Sequence, residues 1–175
     1  KTQWEKTKTR ELPIMDEVYE RLQSGVPEQQ AAAIVHGDYR LGNMLTSPEG
    51  RIAAVLDWEL CTLGDPLADL GYILNNWSNE DELLPGGRGA TGSPTSAGGF
   101  PDREEFVARY EADTGLDASQ IEYYRAFQYW RLAAIVEGVL SRYKKGVMGG
   151  AADTDAFQAQ VDGLAELARE RFAEI

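Results

Sequence analysis

The stretch VHGDYRLGNML, residues 35–45, followed by VLDWELCTLGDPLADLGY, residues 55–72, decides how this chain is read. Asn43 to Thr46 and Arg51 to Asp57 read as the two arms of a hairpin. SPEG joins them, with Pro48 and Gly50 at positions that suit a turn. The run AAAIV before His36 is short and apolar, as a strand would be. Asp38 then lies in the loop after a strand, Asn43 where the next strand begins, and Asp57 at the end of its partner. A hairpin brings the start of one arm beside the end of the other. Asn43 and Asp57 can therefore face each other at the mouth of the loop that holds Asp38.

Those residue types suit one kind of chemistry. Two oxygen ligands on rigid strand ends suit Mg²⁺, which takes few protein oxygens and completes its shell with water and phosphate. A third carboxylate, free of metal, can accept a proton from an attacking hydroxyl. Base, Asn on metal and Asp on metal is the division of labour of kinase-type phosphoryl transfer.

Outward from this unit the pattern is helical. Residues 1–10 are basic and polar and read as a linker or extended lead-in. Leu12, Met15, Val18 and Leu22 have helical spacing, with Pro13 in the first turn and Gly25 as a stop. After Asp65, the simplest reading of which is a helix start signal, Leu67, Leu70, Ile73, Leu74 and Trp77 share one side. Residues 78–101 carry no periodicity and read as a long loop. Asp102 with Glu105 is a capping box, and its helix ends near Gly115. Asp117 with Gln120 repeats that signal before a helix running to about Lys145. A last helix from Thr154 to about Phe172 carries Phe157, Val161, Leu164, Leu167 and Ala168 as its stripe. The fold class expected is α+β and mostly helical, with one short hairpin.

Composition excludes other classes. The chain has 175 residues, 17 basic and 29 acidic side chains, a net charge of −12, one His and one Cys. A domain of this length buries about 70% of its unfolded surface, so it needs no disulfide or metal to fold. One Cys cannot form an internal disulfide, which points to a reducing compartment and a cytoplasmic location. The acidic balance argues against nucleic acid. No apolar run approaches the roughly 20 residues of a membrane span, so no membrane partner is expected. The first residues have no apolar core and are not a secretory signal.

The motifs also carry a resemblance. HGDYRLGN resembles the catalytic loop of the aminoglycoside phosphotransferase and choline kinase superfamily, whose architecture is protein-kinase-like. DWE resembles its metal-binding Asp motif, and GDPLADL the helix that follows. Within the superfamily, the chain looks nearest to the phosphotransferase-like domains fused to acyl-CoA dehydrogenases. By motif position, the resemblance makes Asp38 the base and Asn43 and Asp57 the magnesium ligands. Glu59 would assist the metal through water, His36 would be structural, and Asp69 would hold the catalytic-loop backbone. It implies ATP or GTP with Mg²⁺ as cofactors and a small-molecule hydroxyl as acceptor. All of residues 1–175 would be the C-terminal, acceptor-binding lobe of that fold. The N-terminal lobe, with its phosphate-covering loop and Lys, is absent from these 175 residues, so the isolated chain is expected to be inactive.

Several readings stay open at this point. Asp38 can be a mere turn residue, and His36 a satisfied structural one. Arg40 can meet a phosphate or the acceptor, or form a surface ion pair. Tyr123, Phe127, Trp130 and Ala134 read as a core face, and Tyr124, Gln128 and Arg131 as either core or an acceptor-pocket lining. Cys61 reads as small core filler. GxGxxG at 87–92 is a decoy, because no strand precedes it and no helix follows. The acidic charge would suit a cationic acceptor, whereas the subfamily resemblance points to hydroxyacyl-type acceptors. Competing with catalysis is a pseudokinase or ligand-binding module. A third expectation is a chain whose bared lobe interface, where the N-terminal lobe would sit, drives self-association.

Overall fold

The computed structural model describes residues 1–79, 93–149 and 153–174. The elements run α1 (Thr2–Thr7), α2 (Pro13–Ser24), β1 (Ala33–Val35), β2 (Met44–Thr46), β3 (Ile52–Val55), β4 (Thr62–Gly64), α3 (Leu67–Asn75), α4 (Arg103–Thr114), α5 (Ile121–Lys144) and α6 (Thr154–Arg171). The fold is mostly helical with two small two-stranded sheets, in agreement with the expected class. No described helix is long and apolar enough to cross a membrane.

Local signals explain most boundaries. Pro13 occupies the first turn of α2, whose Met15, Val18 and Leu22 are buried. The Asp102–Glu105 capping box forms, and α4 ends on Gly115 in the left-handed conformation, φ 72°. Asp117 behaves differently from its reading as a cap. Its carboxylate takes the Ser119 N–H at 2.8 Å, and α5 starts only at Ile121. A short polar side chain can close its own local turn instead of capping.

The lead-in is also structured. Residues 2–7 form α1, too short to persist alone, and Trp4 anchors it with 1% of its surface exposed. The Thr9 N–H donates to the buried Glu137 carboxylate, and Lys144 reaches the Thr9 hydroxyl at 3.1 Å. A basic, polar stretch looks like a linker until the one large apolar side chain in it finds a pocket.

Helix α5 is the axis of the fold. On one side it contributes Ala126, Tyr129, Trp130, Ala133, Ala134 and Val136 to a core shared with α1, α2 and α6. On the other, Tyr124 joins Leu67, Leu70, Ile73, Leu74 and Trp77 in a second core built around α3. A helix packed on two sides has no single apolar stripe. The core face expected on α5 is therefore only part of what it buries: Tyr124 and Gln128 are buried, while Tyr123 and Phe127 are only partly so. Helix α3 lies close against α5 because residue 71 is Gly. A Cβ there would stand 2.9 Å from the Tyr124 carbonyl carbon and Cβ and 3.0 Å from the Arg125 nitrogen.

The sheets sit at one end of this helical body. In the hairpin, Met44 pairs with Val55 and Leu45 with Ala54, followed by an irregularity before Thr46 pairs with Ile52. The second sheet was not foreseen: β1 pairs antiparallel with β4, Ile34 opposite Leu63. Ile34, Leu63, Leu45, Ile52 and Leu60 are all at least half exposed, so both sheets present apolar side chains outward. Cys61 lies in this region and is exposed, not core filler.

Candidate functional site

Residues 36–43 form a loop that begins where β1 ends. Gly37 has φ +84°, and a Cβ on it would stand 2.9 Å from the Leu60 carbonyl oxygen. Only glycine allows both the left-handed backbone and this close approach. From α3, Asp69 accepts the His36 N–H at 2.6 Å on one carboxylate oxygen and the Gly37 N–H at 2.9 Å on the other. Two consecutive backbone donors thus end on one carboxylate.

His36 is 1% exposed and uses both ring nitrogens. Nε2 lies 2.7 Å from the Leu56 carbonyl oxygen, which can only accept, so Nε2 carries the proton. Nδ1 then accepts the Asp38 N–H at 3.2 Å. The ring packs beside Trp58, centroids 4.7 Å apart, and the Trp58 indole N–H donates to the Val55 carbonyl at 2.9 Å. The imidazole therefore cross-links the loop to the end of the hairpin.

Asp38 faces Asn43. The Asn43 amide nitrogen donates to both the Asp38 carbonyl and its carboxylate, each at 2.8 Å. With its nitrogen committed, Asn43 keeps Oδ1, the amide's metal-capable atom, and no described residue donates to it. Asn43 itself is buried in a 3₁₀ turn over Leu41–Asn43 and not in the strand, as its pattern suggested. Its carbonyl accepts the Leu56 N–H at 2.8 Å, so the loop end and the hairpin end are joined directly.

Asp57 follows Leu56 with φ 64° and ψ 52°, the one non-glycine residue with positive φ among those described. Asp tolerates this region better than most residues, yet such conformations cost energy and gather at functional sites. Glu59 follows in an exposed 3₁₀ turn, Trp58–Leu60. Among the described residues no group of three or more His, Cys, Asp or Glu could hold a metal. A donor set of one amide oxygen and one or two carboxylates suits a hard cation that keeps waters and phosphate oxygens.

Arg40 forms an ion pair with Asp38 itself, Nε lying 3.3 Å and 3.4 Å from the two carboxylate oxygens. Two residues outside the expected set also reach this loop. Tyr72 on α3 is buried near enough to the loop for its phenol and the Asp38 carboxyl to shift each other's pKa. Arg131 on α5 donates to the Gly37 carbonyl at 2.8 Å and to Gln128 at 3.1 Å. Gln128 in turn donates to the Ala68 carbonyl at 2.8 Å. Gln128 and Arg131 thus brace the loop and α3. Tyr72 had a signal in the sequence: it stands three residues after Asp69, on the same side of a helix.

The electrostatics follow from these contacts. Burial pushes the Asp38 carboxyl up, but hydrogen bonds from Tyr72 and Asn43 and the Arg40 charge outweigh it and hold it below the usual range. Burial, with the Asp38 carboxylate at its hydroxyl, pushes the Tyr72 phenol up to about 12. Tyr124 is likewise raised by burial and by Asp65, whose carboxylate it meets at 2.8 Å. The other oxygen of Asp65 takes the Leu67 N–H at 3.0 Å, in line with its reading as a helix start. The motif GxGxxG at 87–92 lies outside the described residues.

A half-buried carboxylate held ionised beside a metal-capable amide oxygen can accept a proton and stand next to a bound cation. Comparison with known proteins agrees with that chemistry. The model of the phosphotransferase enzyme family matches residues 1–130. Mouse acyl-CoA dehydrogenase family member 10 is 35% identical over 170 residues, covering 95% of this chain and 16% of its own length. Chicken acyl-CoA dehydrogenase family member 11 is 32% identical, covering 95% of this chain and 22% of its own. The chain therefore spans less than a quarter of these relatives. A crystal structure from Ralstonia eutropha, provisionally described as an aminoglycoside phosphotransferase, superposes with a TM-score of 0.81 at 34% identity. That superposition covers 99% of this chain and 53% of the other. With its catalytic-loop motif, its helical body and these matches in agreement, the chain belongs to the phosphotransferase enzyme family.

Proposed function

We propose that this chain is the acceptor-side lobe of a kinase that transfers the γ-phosphoryl group of Mg-ATP, or Mg-GTP, to a hydroxyl of a small molecule. The observation that carries the reading is the Asn43 amide. Its nitrogen is spent on Asp38, and no described residue donates to its oxygen, which lies at the hairpin end that holds Asp57. That arrangement joins a proton acceptor to a cation ligand through one side chain. Bound Mg²⁺ would neutralise charge on the nucleotide phosphates. Asn43 and Asp57 would hold it, with Glu59 reaching it through water. Asp38, kept ionised, would orient the acceptor hydroxyl and take its proton as the new ester forms. His36 and Asp69 keep the loop in shape, while Arg40 would leave Asp38 to meet a phosphate or the acceptor.

The rest of the nucleotide cradle would come from an N-terminal lobe outside these residues. The coverage of 53% of the superposed crystal structure and the outward apolar side chains of both sheets favour such a partner. Without it these 175 residues should not turn over, because phosphoryl transfer depends on positioning from both sides. Where that face is left bare, self-association is expected. The single cysteine fits a cytoplasmic setting.

The test uses the full-length gene product with Mg-ATP and pooled hydroxyl acceptors, read by phosphorus NMR. A new phosphoester should form, and Asp38→Asn should reduce it by roughly 10²- to 10⁴-fold while sparing nucleotide binding. Asp57→Ala should remove the metal-dependent turnover. Full activity in Asp38→Asn would show that Asp38 is not the base. Nucleotide binding without any ester across the acceptor pool would favour a pseudokinase.

A further inference from the structure

Arg40 stands two residues from Asp38 and two from Gly42, and its guanidinium lies against both. Its Nε donates to both Asp38 carboxylate oxygens, at 3.3 Å and 3.4 Å. Its Nη1 fills the space that a Cβ on residue 42 would need, with Cζ 3.3 Å from that position. We propose that Gly42 is the seat that lets Arg40 fold back over Asp38, and that Arg40 in this pose keeps the base from activating water until an acceptor hydroxyl displaces it. This inference rests on the reading of Asp38 as the base.

The backbone does not require this glycine. Gly42 lies in the 3₁₀ turn Leu41–Asn43 and is not among the glycines with positive φ, so alanine could adopt the same conformation. The position is exposed. The three nearest heavy atoms that a Cβ would meet all belong to the Arg40 guanidinium. What the missing side chain makes room for is therefore the guanidinium, not a turn of the chain.

The folded-back pose covers the base. A carboxylate offers about four lone-pair sites. Asn43 takes one on a single oxygen, and Arg40 shares its Nε between both. A water or hydroxyl that hands its proton to Asp38 must first take the place of Arg40. The plug is also easy to lift. The Arg40 and Asp38 side chains are 30% and 26% exposed, and a pair so open to water favours its closed form by a factor of roughly two to five. An acceptor held by its other groups can displace it, whereas a passing water gains nothing that offsets the lost ion pair. Keeping water from the base suppresses hydrolysis as a side reaction.

The experiment compares the full-length protein with Gly42→Ala, which keeps the Arg40 charge and removes its seat. Hydrolysis is measured at saturating Mg-ATP with no other acceptor. The water oxygen bonds to the γ-phosphorus, the bond from that phosphorus to the ADP oxygen breaks, and Asp38 takes the water proton, leaving ADP and inorganic phosphate. We expect kcat for hydrolysis to rise roughly two- to fivefold in Gly42→Ala. Its Tm should be unchanged or slightly higher, since alanine restricts the unfolded chain. A merely structural role for Gly42 would lower kcat instead. In protein free of metal and nucleotide, phenylglyoxal should modify Arg40 faster in Gly42→Ala by a similar factor, read by peptide mass spectrometry. Equal modification rates would show that the guanidinium is not seated, and overturn the inference. Hydrolysis that does not rise in Gly42→Ala, with phosphoester formation from the acceptor pool still dependent on Asp38, overturns this inference alone. Phosphoester formation that survives Asp38→Asn overturns the reading of Asp38 and this inference with it.

Discussion

Replacing Asp69 by Ala should loosen the catalytic loop before it damages anything else. The carboxylate accepts two consecutive backbone N–H groups, His36 at 2.6 Å and Gly37 at 2.9 Å. A hydrogen bond to a charged group is worth about 1.5–3 kcal/mol. Alanine leaves two donors without an acceptor, one of them on a residue that is itself almost fully buried. Water can reach the half-buried Asp69 position and recover part of the loss, which puts the expected destabilisation at about 3 kcal/mol. For a domain of this size that corresponds to a Tm about 6–12 °C lower. Asp69→Asn should lose less, about 2 kcal/mol, because its amide oxygen keeps one donor while its nitrogen opposes the other. Thermal denaturation of the full-length protein measures the total. Hydrogen exchange resolves it, since the His36 and Gly37 amides should lose protection in Asp69→Ala while those of α5 keep theirs. A loss below about 0.5 kcal/mol, with the Gly37 amide still protected, would refute the view that Asp69 anchors the loop.

Two other substitutions or conditions probe the same frame. Gly71→Ala should cost about 1–3 kcal/mol by overpacking the contact between α3 and α5, since the new Cβ meets backbone that cannot rotate away; denaturant unfolding showing equal or greater stability would contradict that close approach. Tyr72 should remain protonated past pH 11, because its phenol is pushed up to about 12 against an unfolded value near 10. The native state then holds this proton more tightly than the unfolded chain, so its contribution to stability is full below pH 10 and lost as pH rises through 12. Tyrosinate absorbance of the wild type minus Tyr72→Phe reads this directly, and a difference titration centred near pH 10 would contradict it.

The local signals were enough for much of this molecule. Helical spacing placed α2, α3 and α6 closely and a capping box with a glycine stop placed α4, since an amphipathic stripe, Pro13 and the Asp102 cap all act within a few residues. The HGD, Asn, DWE and GDPLAD motifs pointed to the family that the comparisons then showed. Of the site, the chain order alone brought Asp38, Asn43 and Asp57 to one loop and one hairpin, because a hairpin is a local structure.

What tertiary structure decided lies between segments far apart in the chain. The pairing of β1 with β4 joins three-residue strands about 30 residues apart, too short to carry a pattern of their own. Helix α1 exists because Trp4 is buried on α5, a contact no property of a polar hexapeptide announces. Arg131, read as pocket lining or core, holds the Gly37 carbonyl from 94 residues away. Tyr72 feels the Asp38 charge only because α3 packs beside the loop. Propensities and caps are summed along the backbone and can be read from it, whereas a buried hydroxyl or guanidinium takes whichever acceptor packing brings within reach.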